Sequence, residues 1–179
     1  MKFQSGEVVY TLKDIASIVS FSETEEGVSR TMRQIRHWTQ NDLIQTVSEK
    51  STGKGIPRFY VEEPTIQISG ILIELSKCIS SLSVLKPVAQ ELYKVWEGEP
   101  YLASSMTDQN AFLQVSWDTN PETGEITGSK TKFWDEMDAV EDQKPDPESA
   151  CSILINMTQV MERVFKNKYA GQDEEPHVQ

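Results

Sequence analysis

Residues 28–44 read VSRTMRQIRHWTQNDLI, and this stretch leaves the fewest choices of conformation. At roughly 100° per residue, a helix here puts Val28, Met32 and Ile35 on one side and Arg30, Arg33, Gln34 and His37 on the other. A helix with one apolar and one basic face must lie on a core with its charges turned outward. Ser29 is a suitable N-cap, and the helix is expected to end near Thr39 or Gln40. Trp38 falls on the border between the faces. Leu43 and Ile44, after an Asn41-Asp42 turn, can fold back onto the apolar side.

That basic face is unusual in this chain, whose 179 residues carry a formal net charge of -11. Residues 1–65 are nearly balanced, with eight Lys/Arg against nine Asp/Glu, whereas the remainder has nine against nineteen. Overall acidity argues against general attraction to nucleic acid, but exposed charges are screened beyond a Debye length of about 8 Å, so a local basic face can still meet phosphate. The length suits one domain with a real core, or a small domain joined to a further element. No apolar run is long enough for a membrane helix, and MKFQSGEVVY has no basic-then-apolar signal pattern, so a soluble, cytoplasmic protein is expected. Cys78 and Cys151 stand far apart without CxxC or CxH neighbours, which predicts two ordinary core residues and no cysteine metal site.

The other segments follow from periodicity and punctuation. Thr11 is placed to cap TLKDIASIV, with Asp14 at the capping-box distance and Leu12, Ile15, Ala16 and Val19 as the buried stripe. SFSETEEG reads as a polar loop closed by Gly27. QTVSEKSTGKGIPRFY at residues 45–60 reads as a β-hairpin with a Gly-Lys-Gly tip, its second arm confined to an edge by Pro57. A helix is expected from Glu62 to about Ile79. A second should be capped by Ser83, the Ser-rich break and Pro87 favouring two packed helices over one coiled-coil seam. Beyond Gly98 and Pro100, alternation from Phe112 and the NPETG turn predict a hairpin over residues 98–134, with Trp117, Phe133 and Trp134 as core or pocket aromatics. Residues 135–148 read as an acidic linker. Residues 149–170 read as a helix capped by Ser149, with Ala150, Leu154, Met157, Met161 and Val164 in its stripe, and residues 171–179 as a loose tail.

The chain is thus expected to be mainly α with a small amount of β. Two of its runs, QIRHWTQNDLI and GIPRFY, together with TLKDIASIV before them, resemble the winged helix-turn-helix DNA-binding domain of MerR-type transcription regulators. The first matches the family's I-R-aromatic-aromatic-x-x-x-G-L-I pattern and the second its G-x-R-aromatic-Tyr wing, and the resemblance covers about residues 8–97. Asp42 stands where the family pattern has Gly, a change that Asp tolerates because it can adopt the left-handed conformation. SFSETEEG is also longer than the usual three- or four-residue turn. The resemblance implies a recognition helix in the major groove of double-stranded DNA, with Arg30, Arg33, Gln34, Arg36 and His37 as contacts, and a wing carrying Lys54, Arg58 and Tyr60 to the backbone. It also implies a homodimer in a prokaryotic or phage setting, nucleoid-associated, with a small-molecule or protein effector acting through the C-terminal part.

Trp38 and Tyr60 are more plausible as packing residues than as stacking platforms. The final helix can pack on its own domain or pair two copies; pairing is preferred, because such regulators are usually dimers on palindromes. Two other functions fit: a winged-helix adaptor of DNA packaging or recombination, of the terminase small-subunit or excisionase kind, or a module that binds protein only. The DTNPETG turn has oxygens at alternate positions like a calcium loop, but its Gly falls at the seventh place rather than the sixth and the twelfth residue is Ser129, not Glu, so no metal site is read there. With His37 and His177 the only histidines and no phosphate-cradling loop, no enzyme, cofactor or metal is expected.

Overall fold

Thr11 caps the first helix as its spacing predicts. Asp14 N donates to Thr11 Oγ1 at 3.3 Å while Thr11 N donates to Asp14 Oδ2 at 2.8 Å. The computed structural model that shows this describes residues 9–47, 58–98, 111–134 and 151–170. Among these residues, five helices and two small antiparallel sheets surround one hydrophobic core. None of these helices is long and apolar enough to cross a membrane.

Strand β1 (Val9–Thr11) runs directly into α1 (Leu12–Val19), which buries Ile15, Ala16, Ile18 and Val19. β1 pairs antiparallel with β2 (Phe59–Val61), Tyr10 opposite Tyr60. This partner was not foreseen, because the pairing closes across nearly fifty intervening residues. Among the described residues the sheet has only these two strands, so β2 is an edge strand as Pro57 suggested, and a single backbone bond from outside the sheet reaches it, Val47 N donating to Phe59 O at 2.9 Å. Of the expected hairpin over residues 45–60, this one bond is seen; residues 45–47 form no strand and residues 48–57 lie outside the described residues.

α2 spans Glu25–Gln40 and begins four residues before the expected Ser29 cap. Its actual N-cap is Thr24, whose side chain accepts from Gly27 N at 3.2 Å, and Glu25 and Glu26 place negative charge at the positive end of the helix. Gly27 is inside the helix and does not close a loop: a Cβ there would lie 2.5 Å from Ser22 Cβ, so the turn can lie against the helix only at a glycine. The α1–α2 connection is correspondingly shorter than SFSETEEG, only residues 20–24. At the other end Asp42 takes φ 63, the left-handed value that its place in the turn requires, and Leu43 and Ile44 return to the core at 0% and 1% exposure. Asp42→Gly is expected to leave thermal stability unchanged or raise it slightly, whereas Asp42→Val should cost about 1–2 kcal/mol in a denaturant titration.

α3 (Glu62–Leu75) and α4 (Leu82–Gly98) are separate packed helices, as the break between them predicts. α3 is buried nearly all round from Thr65 to Ile73, and Pro87 falls inside α4. Because α3 stops at Leu75, Cys78 lies in the following turn and is exposed. Cys151 is exposed as well, so neither cysteine is the core residue expected.

In the second sheet, β3 (Phe112–Thr119) is central, between β4 (Ile126–Trp134) and β5 (Cys151–Asn156). The β3–β4 hairpin is the one predicted; at its turn Asn120 Oδ1 accepts from Glu122 N at 2.8 Å. Trp117 and Phe133 pack partly buried against the core. β5 corrects the sequence reading for residues 151–156, which were expected to be helical; the expected Ser149 cap lies outside the described residues. CSILIN is short and rich in branched residues, so it fits a period of two as well as 3.6, and the open side of β3 decides between them. Helix α5 (Met157–Tyr169) starts only after Asn156, which caps it by accepting from Gln159 N at 3.0 Å.

α5 packs on α1 and α3, and its stripe of Met157, Val160, Met161 and Val164 is buried there. That stripe is thus unavailable for pairing two copies, contrary to the preferred expectation. Residues 111–134 and 151–170 share the core of the preceding segment instead of forming an appended element. Polar ties hold the helix in place: Asn167 Nδ2 donates to Ile18 O at 2.9 Å and Ser20 O at 3.1 Å, Arg163 pairs with Glu74, and Lys168 Nζ donates to Glu62. Burial alone would raise the Glu74 pKa, but Lys77 and Arg163 outweigh it and hold the carboxyl below 4.5. Burial would lower Lys168, but Glu62 outweighs it and holds the amine above 10.5. A lowered acid stabilises above its unfolded pKa and a raised base below its own. Stability from these pairs is therefore expected to be flat between about pH 4.5 and 10.5 and to fall on either side. Urea midpoints across pH, compared with those of Glu74→Gln and Lys168→Met, check this: each variant should flatten one limb.

Candidate nucleic-acid interface

The outer face of α2 combines four exposed groups, Arg30, Arg33, Arg36 and His37, with Gln34 half-buried beside them. From Arg30 to His37 the helix rises ~10 Å, two turns, so these side chains form one short ridge. The inner face explains why the ridge points outward. Thr31, Ile35, Trp38 and Thr39 are buried and Val28 and Met32 pack partly buried on the core, so rotating the helix would put an Arg in apolar surroundings.

Arg30 is held loosely. Its guanidinium lies 3.8 Å from Glu26, with both side chains at least 75% exposed, a pair that is worth little in water and opens easily. His37 is better fixed. Asn41 Nδ2 approaches His37 Nδ1 at 3.4 Å and donates to His37 O at 2.8 Å. With Nδ1 accepting, a neutral His37 carries its proton on Nε2 and presents a donor outward. Asn41 had been read only as a turn residue, and nothing in its spacing signals this orienting contact.

The wing residues fare differently. Arg58 is half-buried, and its Nη1 is buried without a hydrogen-bond partner among the described residues. Lys54 lies outside the described residues. Tyr60 has 0% exposure and leaves the contact set; its hydroxyl lies 3.2 Å from Thr39 Oγ1, which in turn donates to Ile35 O at 2.8 Å. Tyr60 thereby joins β2 to α2 and sets where the strand lies relative to the basic ridge. The preference for Tyr60 and Trp38 as packing residues agrees with their burial, Trp38 being 2% exposed.

Tyr93 fixes the segment after α2 from behind: its hydroxyl accepts from Gln45 N at 3.0 Å, and burial pushes its pKa up to about 12. Among the described residues, no group of three or more His, Cys, Asp or Glu side chains is arranged to hold a metal ion. Compared with known proteins, the chain matches no family model and no curated protein.

Proposed function

We propose that the protein is a sequence-specific DNA-binding regulator that inserts α2 into the major groove and lays the segment around β2, as a wing, along the backbone. The observation that carries this reading is the exposed ridge of Arg30, Arg33, Arg36 and His37 on a helix whose other face is fixed in the core, in a chain that is otherwise acidic. An Arg reads guanine O6 and N7 with two parallel hydrogen bonds, and phosphate contacts add affinity without sequence information. Two local features agree with the winged helix-turn-helix resemblance. Asp42 adopts φ 63 where the family pattern has Gly, and Val47 meets Phe59 where the arms of a wing should join. The C-terminal segment braces α1 and α3, so a homodimer on a palindromic site would pair through a surface other than the α5 stripe.

The test is a titration of the full-length protein against labelled genomic fragments, its own upstream region first, at two salt concentrations. One fragment should bind well above the rest, with affinity falling steeply as salt rises through counterion release. Equal, negligible binding to every fragment at low salt would overturn the reading and leave a protein-binding role for the acidic half. A complex growing beyond two copies per site would favour the packaging or recombination adaptor.

A further inference from the structure

Strand β5 closes one side of the second sheet, and no strand among the described residues pairs with its outer edge. The backbone groups at that edge can be named. Met157 N donates to Ala111 O at 2.8 Å, and bonded pairs alternate along an antiparallel ladder, so Ile155 and Ile153 exchange their bonds with Leu113 and Val115 of β3. Ser152 and Leu154 therefore turn their N–H and C=O groups away from the sheet. Natural edges are blunted by Lys, Pro or a bulge, and CSILIN pairs in unbroken register with none of these.

This edge opens into a groove. A space of about 270 Å³ lies between residues 153–156 of β5, the end of α3 with Glu74, Lys77 and Cys78, and the first turns of α5. Four consecutive strand residues line it, as the edge of a strand can do and a single face cannot. Its charged lining is two cations to one anion, Lys77 and Arg163 against Glu74, and the Lys77 side chain stays half-exposed while it donates to Glu74 at 2.7 Å. On the opposite face of the strand the large apolar side chain of Leu154 is 47% exposed.

We propose that this edge docks an extended segment of another protein as a fourth strand, with apolar residues beside Leu154 and acidic residues, at the alternate positions, beside Lys77. Backbone bonds to Ser152 and Leu154 hold the segment, and the period of two sends its two kinds of side chain to opposite faces. A second copy of this chain fits less well. The two-fold axis that sets two β5 edges antiparallel runs through the sheet and keeps both helical layers on one side, so the second α3 end would meet the first beneath the joined strands. Each copy also carries a net charge of -11, which sets copies against each other. The site shares no residue with the α2 ridge and is tested without DNA.

The full-length protein would be titrated with short acetylated, amidated peptides in which Val, Ile, Leu, Phe or Tyr alternates with Glu, or in a second library with Lys, and amide hydrogen exchange followed by NMR. At least one Glu peptide should slow exchange at Ser152 and Leu154 by about tenfold or more, with far less change at Ile153 and Ile155, which are already bonded to β3. Methylating alternate peptide nitrogens should abolish binding for one alternate set and spare the other, because a strand offers one edge to its neighbour. Lys77→Glu should move the preference to the Lys library. Leu154→Pro removes an outward N–H without touching a bond to β3, and should also abolish binding. The proposal is overturned if no Glu peptide protects the two amides, if Lys peptides protect the parent equally, if both methylated sets bind, or if Lys77→Glu keeps the parent's preference. Slow exchange of the two amides in the free protein overturns it too: protection lost on dilution would mean that the edge pairs two copies, and protection that persists would mean that the chain covers the edge itself.

Discussion

Gly70→Val is expected to lower the unfolding free energy by about 2–3 kcal/mol, seen as a lower urea midpoint with little change in slope. Gly70 is in the buried face of α3 where α5 crosses it. A Cβ there would lie 2.8 Å from Val164 Cγ2 and 3.5 Å from Val160 Cγ1, whereas carbon atoms pack best at about 3.5–4.0 Å. Val164 has 0% exposure and, being β-branched in a helix, has essentially one χ1 rotamer, so the helices must separate. Separation would loosen the whole α5 stripe and strain the Asn167 bonds to the end of α1. Gly70→Ala should cost less, because alanine's better helix propensity returns up to about 1 kcal/mol of the overpacking penalty. Adding Val164→Ala should recover stability in the Gly70→Ala background although it destabilises the parent, a coupling that a double-mutant cycle measures directly. An unchanged midpoint for Gly70→Val would mean that α5 does not cross α3 at this point.

Replacing Arg33 and Arg36 together by Ala is expected to weaken binding to the preferred DNA fragment roughly 30-fold or more, taking about 1–3 kcal/mol for each lost base contact. Both residues are exposed on α2 and neither contributes to the buried face, so the variant should melt at the parent's temperature. Electrophoretic shift titrations at several salt concentrations separate the two kinds of contact. For each of these Arg that touches phosphate, the slope of log affinity against log salt should fall by about 0.9; where an Arg reads a base, preference among fragments should relax instead. Wild-type affinity in a normally folded double variant would make the ridge a solvated surface and overturn the DNA reading.

The parts of this molecule that could be read from the sequence are those governed by neighbours along the chain. Thr11 and Asp14 cap α1 because a capping box closes within three residues. Asp42 turns left-handed where a turn is required, and the two-sided character of α2 follows from spacing alone. The β3–β4 hairpin was legible because its turn, NPETG, separates two alternating runs. Errors arose where two local solutions were nearly equal. Both Thr24 and Ser29 can cap a helix, and the earlier one prevails in a turn whose Ser22 side chain lies against Gly27. The candidate ridge was visible as charge, whereas the burial of Tyr60 and the orienting contact from Asn41 depend on which elements meet.

What the sequence by itself determined, then, was the presence of an amphipathic basic helix, the turn that ends it, the capping box of α1, and a hairpin beyond them. Tertiary structure decided what became of the C-terminal region. CSILIN could follow a period of two or of 3.6, and it became a strand because β3 offered unpaired N–H and C=O groups along its other side. The apolar stripe of α5 showed that the helix needed a partner without showing which. Gly70 supplied the close approach that α3 could offer, and burial against its own chain used up the surface that might otherwise have joined two copies.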